Sequence, residues 1–178
     1  MNIVILGPQG SGKGTQAKLL AEKFNYFYFE SGEFLREMAT TNEVLRKTMD
    51  EGKLVDGSEL VAYISAYLDN KQIYDNIIFD GFPREISQYE FFKSWLLDKK
   101  VKLDLVFVIN VSEETTLKRL SFRKREDDTK EAIEARLELY KKETLPLINE
   151  LKKDTKVVEI DGEGTVEEIF DDICKKLH

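Results

Sequence analysis

A glycine-rich segment near the start of the chain has the residue types and spacing of an anion-binding loop. Its sequence at residues 7–16, GPQGSGKGTQ, follows an apolar run and precedes apolar residues at helical spacing. The glycines let backbone N–H groups turn inward around an anion, and the following helix points its positive end at the same place. We therefore expect phosphate there, with the Lys13 ammonium on the outer phosphates and the Thr15 hydroxyl on a phosphate or its Mg²⁺. The residues expected to hold phosphate are Gly10, Ser11, Gly12, Lys13, Gly14 and Thr15.

Gly14 is a departure from the strict form of this motif. The strict form has Ser or Thr directly after the lysine, whereas Gly14 intervenes here before Thr15. A plain glycine-rich turn is the alternative interpretation. The strand pattern before the loop and the helix pattern after it favour phosphate binding.

Arginines form the second group of residues suited to anions. Arg119 and Arg123 are four residues apart and so project from one face of a helix, where like charges destabilise by a few tenths of a kcal/mol. A bound anion would offset that cost. A solvated basic face balanced by the acidic residues 126–128 is the alternative. The arginines expected near one crevice are Arg36, Arg84, Arg119, Arg123, Arg125 and Arg136.

An aspartate and an arginine follow the apolar run at residues 77–79. Asp80 comes where Mg²⁺ on a bound nucleotide would lie, as an acidic residue does at the end of a comparable strand in P-loop proteins. Pro83 fixes the next turn and would aim the Arg84 guanidinium at a phosphate for a bidentate contact. The alternatives are that Asp80 only caps the turn and that Arg84 is a surface residue.

The sequence offers no residues for covalent catalysis. There is no Ser-His-Asp set and no candidate nucleophile, and the single histidine is His178, the last residue. Transfer of a phosphoryl group between two bound phosphates requires in-line positioning and cationic stabilisation, without covalent chemistry from the protein. Phosphoryl transfer is therefore the reaction class that these residues fit.

The elements that must position these residues alternate along the chain. Apolar runs without polar alternation predict strands covered on both faces, and strand–helix alternation predicts right-handed crossovers in a parallel α/β sheet. Ligands of such sheets bind beyond the carboxyl ends of the strands. The predicted strands are 3–6, 26–29, 77–79, 105–109 and 157–160. The first two helices are predicted to begin near residue 13 and at an N-cap on Ser31. The other helices are predicted at 42–51, 59–68, 87–97, 113–124, 129–153, which contains Pro146, and 166–177.

Composition limits the class of protein. With 178 residues, 42% of them hydrophobic, the chain can build one full core. A net charge of -7 argues against a broad nucleic-acid surface. The single cysteine permits neither an intrachain disulfide nor a cysteine-based zinc site, and suggests a reducing compartment. Without an apolar run of membrane-spanning length or a leader pattern, we expect a cytoplasmic protein.

Over essentially its whole length the chain resembles the adenylate kinase branch of the nucleoside monophosphate kinases. The resemblance rests on the loop at 7–16 and on three further motifs, SGEFLR at 31–36, EGKLV at 51–55 and DGFPR at 80–84 followed by Gln88. It implies an α/β fold of the P-loop NTPase type, with a five-stranded parallel sheet and helices on both faces. It also implies a single domain, 1–178, with a monophosphate-binding insert at about 30–59 and a minimal lid at about 121–130.

The activity that the resemblance implies is reversible phosphoryl transfer from Mg-ATP to AMP, giving two ADP. The implied cofactor is Mg²⁺ with ATP, without zinc, and the implied partners are ATP and AMP, with no nucleic acid and no membrane. We expect a monomer. Asp80 matches the position that orients Mg²⁺ through water, with Thr15 as a further metal contact, and Gln88 matches a position that reads the adenine edge through paired amide hydrogen bonds.

The resemblance assigns site residues position by position. The ATP residues are Gly10, Ser11, Gly12, Lys13, Gly14, Thr15, Arg119, Arg123 and Gly164, where Arg119 lies along the adenine and the Gly164 carbonyl faces it. The AMP residues are Ser31, Arg36, Lys53, Leu54, Val55, Gly81, Phe82, Pro83, Arg84, Gln88, Arg125 and Arg136. The catalytic residues are Lys13, Arg84, Arg123, Arg125 and Arg136, and Asp127 and Asp128 match an acidic pair after the lid.

The lid departs furthest from the family pattern, because only Lys124 lies between Arg123 and Arg125. Lid closure in adenylate kinases is a known means of excluding water from the reaction. We predict that closure here is a small shift of helix ends, that water is excluded less completely, and that ATP hydrolysis without AMP is detectable. The measurement is the hydrolysis rate with ATP alone. A rate no higher than that of a long-lid enzyme would contradict the prediction.

Two other functions compete with this interpretation. A UMP/CMP kinase would share the phosphate loop and the arginines, but Gln88 and the hydroxyl of Ser31, which replaces the commoner threonine, favour adenine. A non-catalytic nucleotide-binding or RNA-binding module would use the basic stretch at 118–125. The net charge of -7 and the scarcity of aromatic residues beside that stretch count against it.

Overall fold

Five parallel strands form the centre of the protein, whose computed structural model describes residues 1–51, 53–122 and 129–177. The order across the sheet is β2-β3-β1-β4-β5, so that β1 lies in the middle with β3 on one side and β4 on the other. The strands are β1 (Asn2–Leu6), β2 (Phe27–Glu30), β3 (Ile77–Asp80), β4 (Leu103–Asn110) and β5 (Lys156–Asp161). The predicted five-stranded parallel sheet is therefore confirmed.

Helices cover both faces of this sheet. Alternate residues of β1 enter separate cores: Val4 and Leu6 pack on one face, and Ile3 and Ile5 on the other. All five residues of β1 are buried, which explains why the strand is apolar without alternation. The helices are α1 (Lys13–Phe24), α2 (Ser31–Ala39), α3 (Glu43–Asp50), α4 (Gly57–Lys71), α5 (Ile86–Asp98), α6 (Glu113–Phe122), α7 (Lys130–Leu139), α8 (Leu145–Asp154) and α9 (Val166–Lys176).

The helix predicted over 129–153 is interrupted by a π-helical segment, Tyr140–Thr144, between α7 and α8. The Leu145 N–H donates to the Tyr140 carbonyl five residues back, and the next residue, Pro146, has no N–H to donate. The wider turn thus falls directly before the proline. It brings the buried Thr144 to the loop after β3, where its hydroxyl donates to the Arg84 carbonyl at 2.8 Å.

Two helix starts differ from prediction. The N-cap prediction for Ser31 is wrong: Ser31 is the first residue of α2, and Glu30 occupies the cap without a side-chain hydrogen bond to the helix. Helix α4 begins two residues earlier than predicted, because the Asp56 carboxylate accepts from the Ser58 and Glu59 backbone N–H groups.

The carboxyl ends of the central strands lie side by side. In the pairing register Asp80 of β3 is opposite Ile5 of β1 on one side and Glu30 of β2 on the other. The predicted insert at 30–59 contains α2 and α3, and most of the predicted lid at 121–130 lies outside the described residues; both remain predictions. Within the part of the chain described, no helix has the length and apolar character needed to span a membrane.

Candidate active site

The loop between β1 and α1 places the start of the twelve-residue helix α1 at the carboxyl end of the central strand. Gly12 forms the N-cap in the left-handed region, at φ 89°, which a residue with a side chain rarely adopts. The Ser11 N–H donates to the Pro8 carbonyl at 3.2 Å and closes the loop. The Lys13 ammonium folds back over it and donates to the same carbonyl at 3.4 Å. These residues leave the N-terminus of α1 facing the crevice, with Thr15 exposed on the first turn.

Gly14 packs closely against Asp80, which gives a physical reason for the departure from the strict motif. A Cβ added at Gly14 would lie 3.0 Å from Asp80 Oδ2 and 3.8 Å from the Tyr28 hydroxyl. A larger residue there would have to displace the end of a short, buried side chain. The glycine after Lys13 thus lets the helix start approach the Asp80 carboxylate.

Asp80 is a buried carboxylate beside the phosphate loop. It is 4% exposed, and this burial raises its pKa, an effect that the positive charge of Lys13 and a hydrogen bond from Tyr28 oppose. Oδ2 accepts from the Tyr28 hydroxyl at 2.9 Å, while the buried Oδ1 has no hydrogen-bond partner among the described residues. An oxygen without a partner at this depth fits a hydrated cation, because buried carboxylates are normally paired.

The residues present therefore fit Mg²⁺ bound with a nucleotide. No group of three or more His, Cys, Asp or Glu side chains able to hold a metal occurs in the described ranges. Mg²⁺ in kinase sites keeps several waters and takes most other ligands from substrate phosphates, so one carboxylate beside a phosphate loop is sufficient.

Three arginines form a cluster that includes Arg84, a neighbour of Asp80. The Arg84 Nε–H donates to the Gly81 carbonyl at 2.7 Å, and a Cβ added at Gly32 would lie 3.2 Å from the Arg36 guanidinium and 3.8 Å from that of Arg84. Burial lowers the pKa of Arg84, and the positive charges of Arg136 and Arg36 lower it further, against the opposing charge of Asp80. Three guanidinium groups that converge repel one another, so the cluster is suited to a multiply charged anion such as a phosphate.

Gln88 lies beneath this cluster and is 1% exposed. Its Oε1 accepts from the Arg84 backbone N–H at 2.8 Å, and its Nε2 donates to the Val55 carbonyl at 3.4 Å. The amide has a further donor and a further lone pair for a base. Phe82 and Pro83 are buried beside it, Leu54 is half-buried, and Lys53 is exposed and paired with Glu51.

Ser31 joins α2 to the end of β3 and has a tertiary role in place of the predicted cap. Its hydroxyl is buried and lies 2.8 Å from the Gly81 carbonyl and 3.3 Å from the Asp80 carbonyl. A single hydroxyl hydrogen bonds mainly to the nearer oxygen. Ser31 therefore fixes the carbonyl that also receives the Arg84 Nε–H.

Ser31→Ala is expected to lower the free energy of unfolding by about 0.5–1.5 kcal/mol, because a buried hydrogen bond is lost while the Gly81 carbonyl keeps the bond from the Arg84 Nε–H. Urea unfolding followed by circular dichroism measures the change. Ser94→Ala is the matched control, since the exposed Ser94 hydroxyl also donates to a carbonyl, that of Glu90 at 3.2 Å. Equal stability of the two variants would contradict the prediction.

Arg119 lies on the other flank of the phosphate loop. Its guanidinium donates to the Ser11 carbonyl at 3.3 Å, to the Gly162 carbonyl at 2.8 Å and to the Gly164 carbonyl at 3.3 Å. The two residues predicted to border the ATP adenine, Arg119 and Gly164, are thus in contact. The planar guanidinium thus links the phosphate loop to the segment after β5.

Arg123, Arg125, Asp127 and Asp128 lie outside the described residues, so their predicted roles remain predictions. The structure also reveals two residues that the sequence interpretation missed, Tyr28 and Glu30, which both contact the site through the Tyr28 hydroxyl. Tyr28 and Glu30 are two residues apart in a strand, so the sequence already predicted that both side chains lie on the same face of the sheet. This spacing could have identified them as neighbours.

A phosphate loop after the central strand of a parallel sheet, with basic side chains around it, defines a nucleotide-binding protein of the P-loop class. Residues 5–156 match the family described as adenylate kinase. The chain belongs to the adenylate kinase family.

Similar proteins extend over nearly the whole chain. The adenylate kinase of Methanothrix thermoacetophila is 37% identical over 211 aligned positions, covering 99% of this chain and 98% of that protein. The adenylate kinase of Corynebacterium urealyticum is 37% identical, covering 95% of this chain and 94% of that protein. The adenylate kinase of Bacteroides fragilis is also 37% identical, covering 99% and 98%. Because this chain has 178 residues, part of the Methanothrix protein has no counterpart here.

Proposed function

We propose that this protein reversibly transfers the γ-phosphoryl group of Mg-ATP to AMP, giving two ADP. The observation that carries the proposal is the arrangement around Asp80: Lys13 and Gly14 of the phosphate loop lie close to its carboxylate, and so does Arg84, which is clustered with Arg36 and Arg136. A protein that only binds one nucleotide needs the loop alone. Two adjacent sites for phosphate suit transfer between a donor and an acceptor.

The roles proposed for the residues follow from charge and position. The loop amides and the N-terminus of α1 hold the donor phosphates, and Lys13 neutralises charge on the group being transferred. Arg36, Arg84 and Arg136 bind the acceptor phosphate, whereas the roles proposed for Arg123 and Arg125, which lie outside the described residues, rest on the family resemblance alone. Asp80 and Thr15 would hold Mg²⁺ with its waters, and the ion supplies charge neutralisation across the donor phosphates.

Acceptor specificity is proposed to come from the surroundings of Gln88. Its spare donor and acceptor match the adjacent N–H and ring nitrogen of an adenine edge, and its backbone contacts hold the amide in place. Buried polar groups that pair with one base are left unpaired by another, and this penalty produces selectivity.

A coupled assay with Mg-ATP and AMP, CMP, UMP or GMP tests the function. We expect kcat/KM for AMP to exceed that for UMP and GMP at least about tenfold, because uracil and guanine present a carbonyl oxygen and a ring N–H where adenine presents an amino group and a ring nitrogen to the Gln88 amide. Cytosine has the same amino group and ring nitrogen on a smaller base, so CMP is the more demanding comparison. Calorimetry on the same preparation is expected to find two nucleotide sites per chain. Preference for CMP or UMP would establish the competing kinase activity, and a single nucleotide site would exclude phosphoryl transfer between nucleotides.

A further inference from the structure

The Tyr28 hydroxyl lies between two carboxylates but has only one hydrogen to donate. Its oxygen is 2.9 Å from Asp80 Oδ2 and 3.0 Å from Glu30 Oε2. Both distances suit a hydrogen bond, yet a phenol donates to one acceptor at a time. Burial and the two carboxylates raise the pKa of Tyr28 well above its ordinary value, so the hydroxyl keeps its hydrogen. The hydroxyl therefore has two nearly equivalent orientations, one toward each carboxylate.

Glu30 has a second partner on the acceptor side of the site. Its Oε1 lies 3.3 Å from Arg36 Nη2, the side chain of Glu30 is 17% exposed, and that of Arg36 is 46% exposed. An ion pair with one half-exposed member is weak and readily exchanged for a better partner. A phosphate dianion is such a partner for a guanidinium group. Contacts thus run without a gap from Arg36 through Glu30 and Tyr28 to Asp80.

We propose that Tyr28 is a positioning residue that couples binding of the acceptor phosphate at Arg36 to the freedom of the Asp80 carboxylate. This inference rests on the proposed function. When the acceptor phosphate draws Arg36 away, Glu30 loses its ion pair with Arg36 and takes the Tyr28 hydrogen bond. Asp80 Oδ2 is then released to accept from water around Mg²⁺. No atom is transferred in this step, because the hydroxyl only rotates.

The coupling must act in both directions. If Mg²⁺ favours the released state of Asp80, the Tyr28 hydroxyl turns to Glu30 and weakens the hold of Glu30 on Arg36. Acceptor binding then becomes tighter when Mg²⁺ is present. This reciprocity allows a test that measures binding alone, without turnover.

Tyr28→Phe removes the hydroxyl and keeps the ring. AMP binding is measured by calorimetry in the presence of a non-hydrolysable ATP analogue, once with Mg²⁺ and once with EDTA. The quantity compared is the Kd for AMP in EDTA divided by the Kd for AMP in Mg²⁺. We expect this ratio to be about threefold smaller in Tyr28→Phe than in the unsubstituted protein, because one charge-assisted hydrogen bond no longer moves between Asp80 and Glu30. Tyr26→Phe is the matched control, since the Tyr26 hydroxyl contacts the Met1 sulfur at 3.7 Å, away from the carboxylates.

Glu30→Gln tests the other half of the coupling. Removing the negative charge frees Arg36, so AMP is expected to bind about threefold more tightly in EDTA, and a purely structural role for Glu30 would not strengthen binding. An unchanged Kd ratio in Tyr28→Phe, or weaker AMP binding in Glu30→Gln, overturns the coupling while AMP binding itself persists. If the unsubstituted protein does not bind AMP, the proposed function fails instead.

Discussion

Replacement of Lys13 by methionine is expected to lower the rate of phosphoryl transfer about a thousandfold or more while the fold is retained. Phosphoryl transfer depends on cationic groups that neutralise charge on the moving group, and loss of one such group costs about 10³–10⁵ in rate. Lys13 is proposed to be such a cation on the donor side, and its charge also opposes the rise in the pKa of Asp80. Methionine has similar length and helix propensity but no charge.

The measurement is kcat in the coupled assay, with thermal unfolding recorded for the same samples. Lys23→Met is the matched control: Lys23 is exposed on the same helix, with its ammonium 5.1 Å from the centre of the Phe170 ring. We expect this control to keep full activity and both proteins to unfold at similar temperatures. If Lys13→Met retains transfer within about tenfold of the unsubstituted rate, the role proposed for Lys13 is wrong.

The sheet could be predicted from the sequence because its strands are apolar on both faces. The runs at 77–79 and 105–109 contain no alternation, and the structure buries both faces of β3 and almost all of β4. Turn and cap chemistry was less predictable. Ser31 has the residue type of an N-cap, but its hydroxyl bonds instead to the carbonyl of Gly81, directly after β3 and distant in sequence.

The parts of the site fixed by local sequence were also predictable. The phosphate loop needs a strand, glycines and a helix in order, and all three are contiguous in the chain. The closeness of Gly14 to Asp80, and of Tyr28 to both carboxylates, depends on how β2, β3 and β1 are ordered in the sheet. Strand order is not encoded by the residues of any single strand, so these contacts became visible only in the structure.

Arg84→Lys is expected to lower kcat/KM for AMP about a hundredfold, although the positive charge is kept. The Arg84 guanidinium is oriented by its Nε–H bond to the Gly81 carbonyl, and its remaining N–H groups can form a fork toward phosphate. A lysine ammonium has neither the fork nor the Nε–H, and so loses both the orientation and the paired hydrogen bonds. A hundredfold loss corresponds to about 2.7 kcal/mol, a size typical of charge-assisted hydrogen bonds.

Arg84→Lys is expected to weaken binding of the acceptor nucleotide and not that of the donor. We expect KM for AMP to rise and KM for ATP to stay within about twofold, because the donor phosphates are proposed to lie on the loop side of Asp80. Arg46→Lys is the matched control, since Arg46 is exposed and contacts only Glu43 among the ion pairs of the described residues, at 3.7 Å. If Arg84→Lys raises KM for ATP as much as KM for AMP, the two phosphate sites are not divided by Asp80. The donor and acceptor assignments would then have to be exchanged or merged.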